Sequence, residues 1–215
     1  MKMLHRPDLF CWSQFNEERN IDFHSFLWLR DEGNILIDPL PMSPHDSQHL
    51  KELGGADWIL ITNSSHIRGS QNLINITQAK VAGPMAEKAS FPIHCDLFLH
   101  EGDEPFAGLK VFELHGSKTP GELAFLLEDS TLITGDLIRS HQGGQLRLLP
   151  SNKCEDLSQV ATSLKRLQNI ESIEVVLPGD GFHVFHNALT VLRTIDCPIT
   201  SGASPMPASK NSSIC

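Results

Sequence analysis

The chain runs through one pattern twice: short apolar runs of strand length come first, and stretches with helical periodicity follow. In the first half, residues 23–29 alternate in part, Arg30-Asp31-Glu32-Gly33 reads as a turn, and residues 34–38 return as a second strand. A short helix is expected over 47–53, closed by Gly54-Gly55. The apolar run Trp58-Ile59-Leu60-Ile61 reads as a buried strand, a helix is expected over about 67–78, and weaker strands at 80–82 and 97–100. The second half offers a strand over 109–114 and a hairpin of 122–128 with 131–134 around Asp129-Ser130. Residues 154–168 carry a helical stripe of Leu157, Val160, Ala161, Leu164 and Leu167, then come a strand over 174–177 and a last helix over 185–195. Two mixed halves of this kind imply two sheets packed together and covered by helices.

A length of 215 residues, 40% hydrophobic and 20% charged, suits one globular domain with a sizeable core. The formal net charge is -9 and no run of Lys and Arg offers a phosphate-tracking surface, which argues against a nucleic-acid partner. The acidity itself reads as solubility. Cys11, Cys95, Cys154, Cys197 and Cys215 are odd in number, scattered and without CxxC spacing, as expected of reduced thiols in a cytoplasmic protein. Residues 1–12 lack the apolar core and small-residue cleavage site of a secretory signal, and no apolar stretch approaches a membrane span, so no membrane partner is expected. From Cys197 onward the chain is Ser, Pro, Ala and Gly without a period, so residues 1–196 are expected to form the domain and 197–215 a flexible tail.

Four segments stand in order along the domain: NILIDPL (34–40), ILITNSSHIRGS (59–70), FELHGSKTPGEL (112–123) with LITGDL (132–137), and VVLPGDG (175–181). Together, over about residues 20–195, they resemble the metallo-β-lactamase superfamily. Its pattern is an Asp after a strand, then T-H-x-H-x-D-H-x-x-G, P-G-H-T-P-G, G-D and G-H-G. The resemblance implies an α+β fold, a four-layer αββα sandwich. It also implies a hydrolase of an ester, thioester, amide or phosphoester that works through bound metal.

The departures from that pattern are as informative as the matches. After Thr62 the segment is two residues short; aligned on Gly69, Asn63 replaces the first His, Ser65 the Asp, and His66 is the final His. Ser117 or Lys118 stands for the His of the next motif, Asp136 is kept, and Asp180 stands where the last His belongs. The resemblance therefore leaves no ligand for the first metal. It leaves His66, Asp136 and Asp180 for at most one divalent ion (Zn, Fe or Mn), with Asp38 orienting neighbouring groups. Asn63, Ser65, Ser117, Lys118 and His183 are expected to line the pocket for an unidentified small molecule. The rival expectation is a protein without catalysis or metal that binds a small molecule or a protein in the former cleft. Two carboxylates drawn together in a dry cleft need a counter-charge. Lys118 is expected to supply it by bonding both Asp136 and Asp180, with Arg68 as substitute.

Overall fold

The computed structural model describes residues 1–196, so the expected tail over 197–215 lies outside the described residues. Its strands are β1 (Lys2–Met3), β2 (Leu9–Asn16), β3 (Ile21–Trp28), β4 (Ile35–Ile37), β5 (Trp58–Leu60), β6 (Lys80–Pro84), β7 (Leu97–Leu99), β8 (Leu109–Leu114), β9 (Glu122–Leu127), β10 (Thr131–Thr134), β11 (Ile138–Gln142), β12 (Gln145–Leu148) and β13 (Val175–Pro178). The first seven form one sheet in chain order, the second sheet runs β13-β10-β9-β8, and β11 pairs with β12 alone. The helices are α1 (Pro44–Glu52), α2 (Ser70–Thr77), α3 (Leu157–Gln168) and α4 (Ala188–Arg193).

Alternation along the strands divides the apolar residues into three sets. Leu9, Phe26, Trp28, Ile37 and Leu60 meet Val111, Leu123, Phe125, Ile133 and Leu177 between the sheets. The opposite face of the first sheet, with Phe10, Leu27 and Ile59, packs under Leu50 of α1 and Leu73 of α2. The outer face of the second sheet, with Leu126, Leu132 and Val176, is covered by Val160, Leu164 and Leu167 of α3 and by Ala188 and Leu192 of α4. The layers are thus helix, sheet, sheet, helix, the expected αββα sandwich. Among the described residues no helix is long and apolar enough to cross a membrane.

Most expected elements are present, and their ends move for local reasons. The first helix begins earlier than expected because Ser43 caps it, accepting from Asp46 N, with Pro44 in its first turn. The second starts at Ser70 rather than 67, because Arg68 adopts a positive φ of 36° and the preceding residues Ser64–His66 form a 3-10 turn. The third starts only at Leu157, where Asp156 accepts from Ser158 N and Gln159 N. The last helix is shorter than 185–195: Val184 bridges to Val176, and Asn187 is left-handed with φ 54°. Strands β1, β2, β11 and β12 were not expected. Leu9-Phe10-Cys11-Trp12 is buried on both faces, so the opening of β2 lacks the alternation that marks a half-buried strand.

Candidate functional site

The parallel pairs β4/β5 and β10/β13 bring four strand ends together. Asp38 follows β4, Thr62 and the Asn63–His66 turn follow β5, Asp136 follows β10, and Asp180 follows β13. Side chains beyond the carboxyl ends of parallel strands commonly converge on a crevice. Gly135 allows close approach: a Cβ there would lie 2.7 Å from Thr62 Oγ1 and 3.1 Å from Asn63 Nδ2.

One donor atom from each of His66, Asp136 and Asp180 lies within 4.8 Å of the others, and all three residues are buried. Asp38 anchors the group: its Oδ1 accepts from Thr62 N at 2.7 Å, and its Oδ2 accepts from Thr62 Oγ1 at 2.6 Å and stands 2.7 Å from His66 Nδ1. Burial alone would depress the His66 pKa. The Asp38 charge and the contacts to Asp136 and Asp38 outweigh it and push His66 up to about 9. Its Nε2 lies 3.3 Å from Asp136 Oδ2, so the charged ring donates to a carboxylate on each side. Burial raises Asp136, but His66 and Lys118 overcome it and hold the carboxyl well below the usual carboxylate range.

The chain supplies the cations at this centre. Lys118 Nζ is 2.8 Å from Asp136 Oδ2. Arg139 Nη2 is 2.7 Å from Asp180 Oδ2 and 3.3 Å from Asp136 Oδ1, so it bridges the two carboxylates. Arg68 Nη2 lies 3.4 Å from Asp180 Oδ1 and 3.1 Å from His66 Nε2. With His66 charged, its Nε2 cannot accept, so the Arg68 Nη2 hydrogen goes to Asp180. Lys118 was expected to bond both carboxylates; it takes Asp136, and the bridge is made by Arg139, which the motifs did not single out. The donor set has the chemistry for one divalent ion, yet both of its carboxylates already meet side-chain cations and His66 itself carries the charge. The residues as arranged fit positive charge delivered by the chain, and a metal would have to displace Lys118 and Arg139.

The other expected pocket residues separate. Ser65 lines a cavity of about 360 Å³ together with Arg19, Phe23, Arg68, Lys118 and the exposed edges of His66, Asp136 and Asp180. Asn63 is fully buried beneath it and donates to Asp136 Oδ2 at 3.2 Å, while Ser117, equally buried, donates to Glu122 Oε2 at 3.0 Å. His183 lines a neighbouring cavity with His24 and His141. His186 is exposed and His115 stands 3.4 Å from Glu113, away from the centre.

Glu122 is the second residue that sequence reasoning missed. It is fully buried; its Oε1 accepts from Leu137 N at 2.8 Å, and no cation contacts it among the described residues. Burial and then the neighbouring Asp136 charge push its carboxyl up to about 8, so it is protonated at neutral pH. Glu122 and His66 both have folded pKa values above their ordinary 4.5 and 6.5, so the native state holds more protons than the unfolded chain. Stability is then lost with rising pH, over about 4.5 to 8 for Glu122 and about 6.5 to 9 for His66. Asp136 works in the opposite sense and weakens the fold only on acidification below its ordinary 3.8. The urea midpoint should therefore fall from pH 6 to pH 9, and Glu122→Gln should flatten the fall; equal midpoints at both pH values would contradict this protonation.

A family model described as "Metallo-beta-lactamase superfamily" matches residues 1–197. The chain belongs to the metallo-β-lactamase superfamily. Among solved structures it is similar to the DIM-1 metallo-β-lactamase, with TM-score 0.67 and 15% identity over 87% of this chain and 91% of that one. A metallo-β-lactamase from Pontibacter korlensis superposes with TM-score 0.67 and 16% identity over 90% and 98%. The protein TTHA1623, solved in a di-iron-bound form, gives TM-score 0.64 and 21% identity over 85% and 97%. At these identities the likeness is one of fold. A comparison with curated proteins finds no match. The superfamily match begins at residue 1, and so takes in β1 and β2, which the motifs starting near residue 20 had left out.

Proposed function

We propose that this chain is a non-catalytic member of the superfamily whose cleft binds a small anionic molecule, with the former metal centre filled by its own side chains. The observation that carries this reading is the placement of Lys118, Arg139 and Arg68 against Asp136 and Asp180. Lys118, Arg139 and Arg68 sit on Asp136 and Asp180, and charged His66 sits on Asp38, so three carboxylates face four cations. A further dication would be repelled, whereas an anion would be attracted. At the cleft mouth, which Glu18 also lines, two guanidinium groups are presented. Arg19 and Arg68 both stand over the Phe23 ring, at 5.8 and 5.2 Å, and Arg19 forms no ion pair among the described residues. A guanidinium so placed suits a carboxylate or phosphate oxygen pair.

The test is a pair of titrations on the full chain. Inorganic phosphate should raise the melting temperature, and Arg19→Ala should weaken that effect. In equilibrium dialysis against Zn2+, Asp136→Asn and Asp180→Asn should bind as much zinc as the parent. A zinc equivalent lost in both variants would favour the other reading, a hydrolase with a single Zn, Fe or Mn ion on His66, Asp136 and Asp180, which their mutual closeness allows. A third expectation follows: Lys118→Ala combined with Arg139→Ala should gain zinc uptake at this centre, and no gain would mean the cations do not bar the metal.

A further inference from the structure

A second cluster of ligand-type side chains lies on the other side of the β3 backbone. Strands β2 and β3 pair with Cys11 opposite Phe26 and Ser13 opposite His24. Period-two alternation then puts Leu9 and Cys11 on the same inner face as His24, Phe26 and Trp28, with Cys11 and His24 as diagonal neighbours. The chain leaving β13 passes Asp180 and Gly181 and lays His183 onto them: the His24 and His183 rings are 4.2 Å apart, and His183 lies 5.5 Å from Phe26. One ligand atom from each of Cys11, His24 and His183 lies within 4.8 Å of the others.

Cys11 Sγ is 3.6 Å from His24 Nδ1. A tetrahedral zinc with Zn–S of about 2.3 Å and Zn–N of about 2.0–2.1 Å sets these two atoms about 3.5 Å apart. His183 Nε2 is buried and has no hydrogen-bond partner among the described residues, a costly state for an imidazole nitrogen that a ligand would relieve. The Gly181 backbone is a hydrogen-bond partner of the His24 ring, the kind of outer contact that orients a metal-bound imidazole.

We propose that Cys11, His24 and His183 form a zinc site, with three protein ligands and a fourth position open to the adjoining cavity. That cavity, of about 500 Å³, is lined by His24, His141, Phe182 and His183. One thiolate with two imidazoles is a borderline-soft set that selects zinc over magnesium or manganese. Both rings are neutral and able to ligate: burial depresses His24, and burial with the nearby His24 and His5 pushes His183 down to about 3. Burial pushes the free Cys11 thiol up to about 12, so it is no nucleophile; Zn2+ would bind its sulfur with release of one proton to solvent. The site is distinct from the former centre, since the adjacent residues Phe23 and His24 face opposite sides of β3, and Phe23 lines the cavity over that centre while His24 lines the other.

Titration of the full chain with Co2+ tests this. The expected result is one equivalent bound with a near-ultraviolet thiolate-to-cobalt charge-transfer band, displaced by Zn2+. Cys11→Ser should abolish the band. His183→Ala should weaken binding by at least the roughly 10–100-fold that loss of an outer partner costs. Asp136→Asn should leave the band unchanged, so failure here and failure at the former centre are read separately. The parent spectrum decides even if Cys11→Ser does not fold: no band in the parent overturns the proposal, as does a band that survives Cys11→Ser or a cobalt affinity left unchanged by His183→Ala.

Discussion

Arg139→Ala is expected to destabilise the protein by about 3–5 kcal/mol, the usual cost of removing one partner from a buried ion pair. The Arg139 side chain is 9% exposed and those of Asp136 and Asp180 are 2% exposed, so solvent cannot replace the guanidinium. Asp180 would keep only Arg68, at 3.4 Å. Urea unfolding near pH 7 measures the effect. Asp180→Asn removes the anion that needs the cation, so adding it to Arg139→Ala should recover part of the loss, a non-additivity that marks direct coupling. Lys118→Ala should cost far less, about 1 kcal/mol, because its side chain is 29% exposed and water screens the vacancy. A loss below about 1 kcal/mol for Arg139→Ala, or strict additivity with Asp180→Asn, would remove Arg139 from its place at the heart of the centre.

The second large effect is expected at Gly181. Its φ is 89°, where L side chains are strained, and a Cβ would lie only 1.5 Å from the Ser140 carbonyl oxygen. That neighbour is backbone, held by Ser140 N donating to Asp180 O and by Phe182 N donating to Ser140 O, so it cannot swing aside. Strain of about 1–3 kcal/mol and overpacking of similar size put Gly181→Ala at about 3 kcal/mol or more. Gly143→Ala is the control, because a Cβ there meets nothing within 4 Å. Thermal melts of both variants check the contrast, and equal melting temperatures would refute it. The Gly181 variant should also disturb Asp180 and His183 together, since this turn presents both.

The strand ends were legible because LITGD and VVLPGD each close an apolar run with glycine and a carboxylate, and the fold must place such ends together once the strands are parallel. His66, Asp136 and Asp180 could therefore be named from motif order alone. Arg139 could not. It sits three residues after Asp136 on β11, in a hairpin outside both main sheets, and its role depends on Asp180, 41 positions further on. The available signal was the arginine of DLIRS, directly after the apolar pair Leu137-Ile138, since a cation drawn inward with such a pair needs a carboxylate. Glu122 was hidden differently, as an ordinary strand opening whose burial only the second sheet reveals. Lys118 was found by asking what replaces a lost histidine, and its reach was overestimated because the bridge between carboxylates suits a planar, forked guanidinium better than an ammonium.

The filled centre also has a historical consequence. On the reading proposed above, restoring histidine at position 63 first would set an imidazole beside buried Asp136 while Lys118 and Arg139 still hold that carboxylate. Removing Lys118 alone or Arg139 alone would leave the other cation on Asp136 and cost stability without clearing the position a metal would need. On that reading, a return to metal chemistry would take two coupled substitutions rather than one.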